Sequence, residues 1–267
     1  MQMRLAFIGD NDIPSVEADC AFAREHGFEG LEYNYWGDFK NLTEDTARQM
    51  AAIHKKHSMK VSMFGLWGWN HLSPDPKVRA EAHAMLERAI SFAKILGAEH
   101  LVTAAGDMPG EPVGRKLQEF ARVFPPFLEK MKSAGLKPLF YAIHGASFLD
   151  SLATWERAWE LFPDLRMKFD PANWRHHGLD YLEVVERYGH KIGYVHVKEH
   201  LYRGGRLASQ PPAGMGDIEW GKVFAFLYEH GYSGWLSIEP HGPIWSRGEM
   251  RRKMLLLSKR YVERFLI

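Results

Sequence analysis

The sequence predicts an α/β protein of one domain, residues 1–267, folded as an eight-stranded TIM barrel. Three observations carry this prediction. Short apolar runs alternate with longer segments of helical period along the whole chain, which is the order a barrel of strand–helix units produces. Glycine recurs where the helical patterns stop, at Gly27, Gly97, Gly135, Gly189 and Gly231, because a residue closing a helix often takes the left-handed conformation. No glycine-rich turn follows the first apolar run, as an open doubly wound sheet would usually require.

The eight strand candidates are, in order, RLAFI (4–8), EGLEY (29–33), KVSMF (60–64), HLVTA (100–104), PLFYAIH (138–144), LRMKFD (165–170), IGYVHV (192–197) and WLSIE (235–239). Between the third and fourth, Val78, Ala82, Met85, Ala89, Ala93 and Leu96 recur every three to four residues and form one apolar stripe. Ser73, Pro74 and Asp75 start that helix, and Gly97 stops it. GFEGLEYN (27–34) and GYSGWLSIEP (231–240) echo each other: both read glycine, aromatic, any residue, glycine, then a strand ending near a glutamate. The segment YRGGRLASQPPAGMGD (202–217), rich in Gly and Pro, reads as a long loop and a candidate lid.

Composition narrows the function classes. The chain is 46% hydrophobic with a net charge of +1, and its charges are scattered, so no basic stripe suited to nucleic acid is expected. A single cysteine, Cys20, excludes an intramolecular disulfide and suits a reducing cytoplasm. The first residues lack the apolar run of a signal peptide, and no stretch approaches the roughly 20 apolar residues a membrane span needs. A soluble cytoplasmic protein without nucleic-acid or membrane partners is the expectation. Fourteen histidines make a metal or proton-transfer site worth seeking.

In a barrel the chemistry belongs to the C-terminal strand ends. Asp170 ends the sixth strand, His196 lies in the seventh and Glu239 ends the eighth, while Asn70 and His71 follow the third and Glu32 lies near the end of the second. Lys198 and His200 share the side of His196 at period two. Asp, His and Glu on neighbouring tips form a mixed O/N set suited to one divalent cation, Mn²⁺, Zn²⁺, Co²⁺ or Mg²⁺, with positions left for a chelating substrate. Each has a plainer reading: Asp170 as an Asx turn before Pro171, His196 as a core histidine, Glu239 as half of a surface ion pair. Their equivalent depth on consecutive strands favours a site. The face shared by Ala142 and His144 offers a methyl group and an imidazole but no carboxylate.

The motifs FGLWGWNHLSPDPKVR (64–79), AISFAKILGAEHLVTAAG (89–106), KFDPANW (168–174), YVHVKEH (194–200) and GDIEWGKVFAFLYEHGYSGWLSIEP (216–240) together resemble the sugar isomerase/epimerase superfamily of xylose isomerase-like TIM barrels, over essentially the whole chain. The resemblance implies four ligands on strands five to eight: Glu, Asp, His and Glu. Asp170, His196 and Glu239 match the last three, and the glutamate of strand five falls at Ala142, with His144 in register two residues on. The resemblance then leaves three readings of Ala142: a natural branch using His144 as ligand or base, an engineered glutamate-to-alanine change, or a barrel that has lost catalysis. It further implies substrate contacts from His71, Asn173, Lys198 and Arg203, and it departs from many relatives at Glu199, where aspartate is usual. Trp69, with Trp67, Trp174 and Trp245, would wall a sugar pocket. Such barrels often form homo-oligomers.

The implied function is a divalent-metal-dependent isomerase or epimerase of a keto sugar or related polyol derivative, working by enediol proton transfer with Glu239 and His144 as the proton carriers. The alternatives are a lyase or dehydratase on a cyclic polyol or 3-keto sugar at the same metal site, and a non-catalytic sugar-binding barrel. A DNA-repair endonuclease is disfavoured, because it needs a richer His/Asp set and a basic face.

Overall fold

Eight parallel strands close into a barrel in this computed structural model, which describes residues 2–267. The first half of the chain runs β1 (Arg4–Ile8), α1 (Ile13–Glu25), β2 (Gly30–Tyr35), α2 (Glu44–His57), β3 (Lys60–Leu66), α3 (Pro76–Leu96) and β4 (His100–Thr103). It continues through α4 (Val113–Val123), α5 (Pro125–Ser133), β5 (Lys137–Tyr141), α6 (Leu152–Leu161), β6 (Met167–Phe169), α7 (Pro171–His176) and α8 (Tyr181–Tyr188). The remainder is β7 (Ile192–Val197), β8 (Leu201–Arg203), β9 (Arg206–Ser209), α9 (Trp220–Glu229), β10 (Trp235–Ile238), α10 (Gly242–Trp245) and α11 (Gly248–Glu263). Around the barrel β1 to β7 follow chain order, and β10 closes between β7 and β1. Strands β8 and β9 form a separate antiparallel hairpin inside the segment expected to be a loop.

Alternation along each strand divides the side chains between two cores. Ala6, Met63, Val102, Leu139, Tyr141, Tyr194 and Trp235 form one apolar cluster that fills the barrel. Phe7, Leu31, Phe140, Ala142, Phe169 and Val195 belong to the other, packed with helix residues such as Phe120, Trp155 and Val223. At the N-terminal end, Arg4 grips Glu99 through two bonds of 2.8 Å and lies 4.0 Å over the ring of Trp235, closing the barrel floor.

Local signals place most boundaries. Asp75, rather than Ser73, caps α3 by accepting from the backbone of Lys77 at 2.8 Å, with Pro76 at the first helical position. Gly97 ends α3 at φ 66°. Gly189 breaks the pattern: it sits in right-handed conformation (φ −53°) and opens a short turn before β7. Along α3, Ala82, Ala89, Ala93 and Leu96 are buried as the stripe requires, whereas Val78 is exposed.

Strand β5 departs most from expectation. It ends at Tyr141, and the chain then turns through left-handed residues at Ile143 (φ 62°) and Ala146 (φ 66°). Tyr141 pairs with Lys168 across the β5–β6 edge. Both therefore face the barrel interior, and Ala142 faces the helices.

Candidate metal centre and substrate cavity

Strand alternation brings the charged residues to the C-terminal mouth. Lys168 and Asp170 leave β6 on its inner side, His196 and Lys198 continue that side from β7, and Glu32 and Glu239 come from β2 and the end of β10. Ligand atoms of Asp170, His196 and Glu239 all lie within 4.8 Å of one another. His196 Nδ1 faces Glu239 Oε2 at 2.7 Å and Asp170 Oδ2 at 3.8 Å. Its other nitrogen, Nε2, meets both oxygens of Glu32 at 2.8 and 3.0 Å. Asn34 Nδ2 donates to Glu32 Oε1 at 2.7 Å, and Trp67 Nε1 donates to Asn34 Oδ1 at 2.6 Å, so Glu32 is itself held in place.

The donor set fits a divalent cation. Two carboxylates and an imidazole converge from three strands, leaving coordination positions for a ligand, and the far nitrogen of the histidine is oriented by a carboxylate as metal-bound histidines usually are. Asp170, His196 and Glu239 would hold the ion. Asp170 also caps α7, accepting from Asn173 N at 3.0 Å through Oδ1, so its second oxygen is the one turned to the site.

Electrostatics keep these groups ionised. Burial alone would raise the pKa of Glu239, but Lys198 at 3.0 Å, with His196, carries it well below the usual carboxylate range. Burial likewise opposes ionisation of Asp170 and of Glu32, and is outweighed by Lys168 and Lys198 in the first case and by His196 in the second, so both are lowered. For His196, burial favours the neutral ring, yet Glu32 and Glu239 overcome it and raise the pKa. His144 goes the other way: burial, reinforced by Lys168, lowers it to about 4, so the ring is neutral near pH 7.

Above these residues opens a cavity of about 550 Å³. Of the residues expected there, His144, Asn173, Lys198, His196 and Glu239 line it. His144 is not drawn into the ligand set: its Nε2 lies 3.1 Å from Asn173 Nδ2, and its ring stands edge-on to Trp67 and Tyr141. Other expected contacts lie elsewhere, Trp174 and Trp245 among them. His71 is fully buried, with Nε2 on Thr103 Oγ1 at 2.9 Å. Trp69 is buried beneath Lys40, and Arg203 stands exposed on β8. The aromatic wall is instead Trp67 with Trp36, stacked at 5.7 Å. The carboxylate expected at Ala142 is corrected as well, since that methyl group packs in the outer core. The inward position on β5 is Tyr141, which stacks on Trp67 at 4.4 Å and donates to Gly145 O.

Sequence reading undervalued Glu32 and missed Asn34, Trp36, Tyr141 and Lys168. The echo between 27–34 and 231–240 was the available signal for Glu32, because its two glutamates, Glu32 and Glu239, take the two nitrogens of one histidine. Glu199 is buried and accepts from the backbone of His200, Gly214 and Ile218 and from Trp220 Nε1, at 3.0 to 3.1 Å. It pins the segment after β9 against the barrel.

The profile of the family described as Xylose isomerase-like TIM barrel matches residues 20–260. No curated protein matches the sequence. Among solved structures, D-allulose 3-epimerase from Methylomonas sp. in complex with D-allulose superposes with a TM-score of 0.79 at 14% identity, covering 98% of this chain and 97% of that one. The IolI protein with a bound zinc atom gives 0.76 at 15% identity, covering 98% of each chain. The probable 3-DHS dehydratase AsbF from Bacillus anthracis gives 0.73 at 15%, with coverage of 98% and 99%. At these identities the likeness is one of fold.

Proposed function

The chain belongs to the Xylose isomerase-like TIM barrel family, and from that premise we propose that it is a divalent-metal-dependent isomerase or epimerase of a keto sugar or related polyol derivative. One observation carries the reading: Asp170, His196 and Glu239 converge beside a cavity large enough for a monosaccharide, and the last two line it. A bound Mn²⁺, Zn²⁺, Co²⁺ or Mg²⁺ supplies Lewis acidity that makes a proton beside a carbonyl easier to remove.

The protein's own groups do the rest. Glu239 is ionised and reaches the cavity, so its carboxylate is the base for the carbon-bound proton. Lys198 and Glu32 fix the orientations of Glu239 and His196. His144, neutral and on the cavity wall, is the second proton carrier, with Asn173 fixing its ring. Trp67 and Trp36 offer ring faces to the C–H surface of a sugar.

A second reading, elimination of water from a polyol, is favoured by the lining itself: Glu239 is its one carboxylate, and elimination asks for a single base at carbon. The deciding experiment loads the protein with Mn²⁺, incubates it with ketohexoses in D₂O and follows the products by NMR. Deuterium at the carbon beside the carbonyl, lost in Glu239→Gln, supports the isomerase or epimerase. Irreversible loss of water supports the lyase. Saturable sugar binding without either reaction supports a binding barrel and overturns the enzyme reading.

A further inference from the structure

Lys168 is given no substrate contact in the function above, yet it lies at the centre of the site. It is 3% exposed, lines the cavity floor, and sits on β6 two residues, or about 7 Å of strand, below Asp170. Its ammonium rises beside the ligand set, 5.4 Å over the ring of Trp67. Among the described residues, Asp170 Oδ2 at 3.3 Å is its one hydrogen-bond acceptor. An ammonium carries three donors, and buried cations are seldom left with donors unmet.

The charge balance points the same way. The formally charged side chains lining the cavity are Lys168, Lys198 and Glu239, besides His196. Including the carboxylates of Asp170 and Glu32, three negative charges meet the two ammoniums of Lys168 and Lys198. A divalent cation held by Asp170, His196 and Glu239 would add two positive charges. The loaded site is then positive by one, with an under-coordinated ammonium at its floor.

We propose that the substrate is a monoanion, a polyhydroxy keto acid rather than a neutral keto sugar, and that Lys168 binds its carboxylate. This rests on the reading of the site as a metal-assisted keto-sugar site and specifies its substrate class. Depth selects carboxylate over phosphate: a group reaching Lys168 must be attached within a bond or two of the carbons at the ligand set, whereas a phosphate at the far end of a sugar would lie at the mouth.

The test compares D-fructose with 2-keto-D-gluconate, which differs in carrying a carboxylate in place of the hydroxymethyl attached to the carbonyl carbon, and with fructose-6-phosphate. Each is titrated into the Mn²⁺-loaded protein and followed by tryptophan fluorescence. The keto acid should bind at least about ten-fold tighter than D-fructose, the worth of one charged hydrogen bond, and fructose-6-phosphate should bind no tighter than D-fructose. Lys168→Met should abolish the preference, read as the ratio of keto-acid to D-fructose affinity measured in the same Mn²⁺-loaded variant. Lys168→Gln, which keeps a donor near Asp170, serves if the methionine variant does not fold. D-fructose binding without a preference for the acid, a preference that survives removal of Lys168, or tightest binding of the phosphate overturns the proposal and leaves the keto-sugar reading standing. Binding of none of the three overturns both.

Discussion

Glu32 and His196, 164 positions apart in sequence, meet through both carboxylate oxygens of one and Nε2 of the other, at 2.8 and 3.0 Å. This contact fixes which nitrogen of His196 faces the cavity. Glu32→Gln should therefore weaken Mn²⁺ binding by roughly 10- to 100-fold, the usual effect of removing a carboxylate behind a metal-bound histidine. Isothermal titration calorimetry measures the affinity. Unchanged binding would show that Glu32 serves only the fold.

Asp170 and Lys168 should be energetically coupled. Removing the carboxylate alone leaves a buried ammonium unpaired, at a cost of about 3–5 kcal/mol, and also strips the cap from α7. Asp170→Asn keeps a capping oxygen but not the charge. In urea unfolding, Lys168→Met combined with Asp170→Asn should be more stable than Asp170→Asn alone, with a coupling of about 1–3 kcal/mol. Additive losses would mean that the pair does not interact in solution.

Positions 141 and 142 should respond oppositely to a carboxylate. Ala142→Glu buries a charge among the apolar residues of the outer core. That variant should lose roughly 3–5 kcal/mol, the scale of an unpaired buried charge, and much of its soluble yield. Tyr141→Glu directs the carboxylate into the barrel beside Lys168. It should fold better than Ala142→Glu, which thermal unfolding of the two proteins checks directly. The reverse order would place the inward face of β5 at Ala142.

Acid should destabilise the fold through its buried histidines. Burial lowers His54 and His100 to about 4 and His71 to about 3 from an ordinary value of 6.5. Each is neutral in the folded state and gains a proton on unfolding below pH 6.5, so its contribution is intact above that pH and is lost as pH falls toward the folded value. The slope is roughly 1.4 kcal/mol per pH unit for each group. Urea unfolding at pH 7 and pH 5 should show the fall, and His71→Gln should reduce its slope by about one proton. A pH-independent stability over that range would contradict neutral burial.

Much of this molecule was legible in its sequence because the signals are local. Alternating strand and helix periods, with caps such as Asp75 and stops such as Gly97, announced the barrel and placed Asp170, His196 and Glu239 at one rim. The residues misjudged share a different cause. His71, Trp69 and Arg203 lie close in sequence to mouth residues, but the direction of a loop side chain depends on what packs over it. Lys168 lies within an apolar run, and only the closed barrel shows it turned inward.

The sequence by itself determined the strand–helix order, the depth of the three ligand candidates and the scarcity of carboxylates around strand five, since each follows from period, length and composition. Tertiary structure alone decided that β5 ends at Tyr141, that Ala142 therefore faces outward, and that Glu32 reaches His196 across the barrel. A single left-handed residue reverses which side of a strand end points to the cavity, and pairing between distant strands sets which charges meet. Neither is written in any local stretch of the chain.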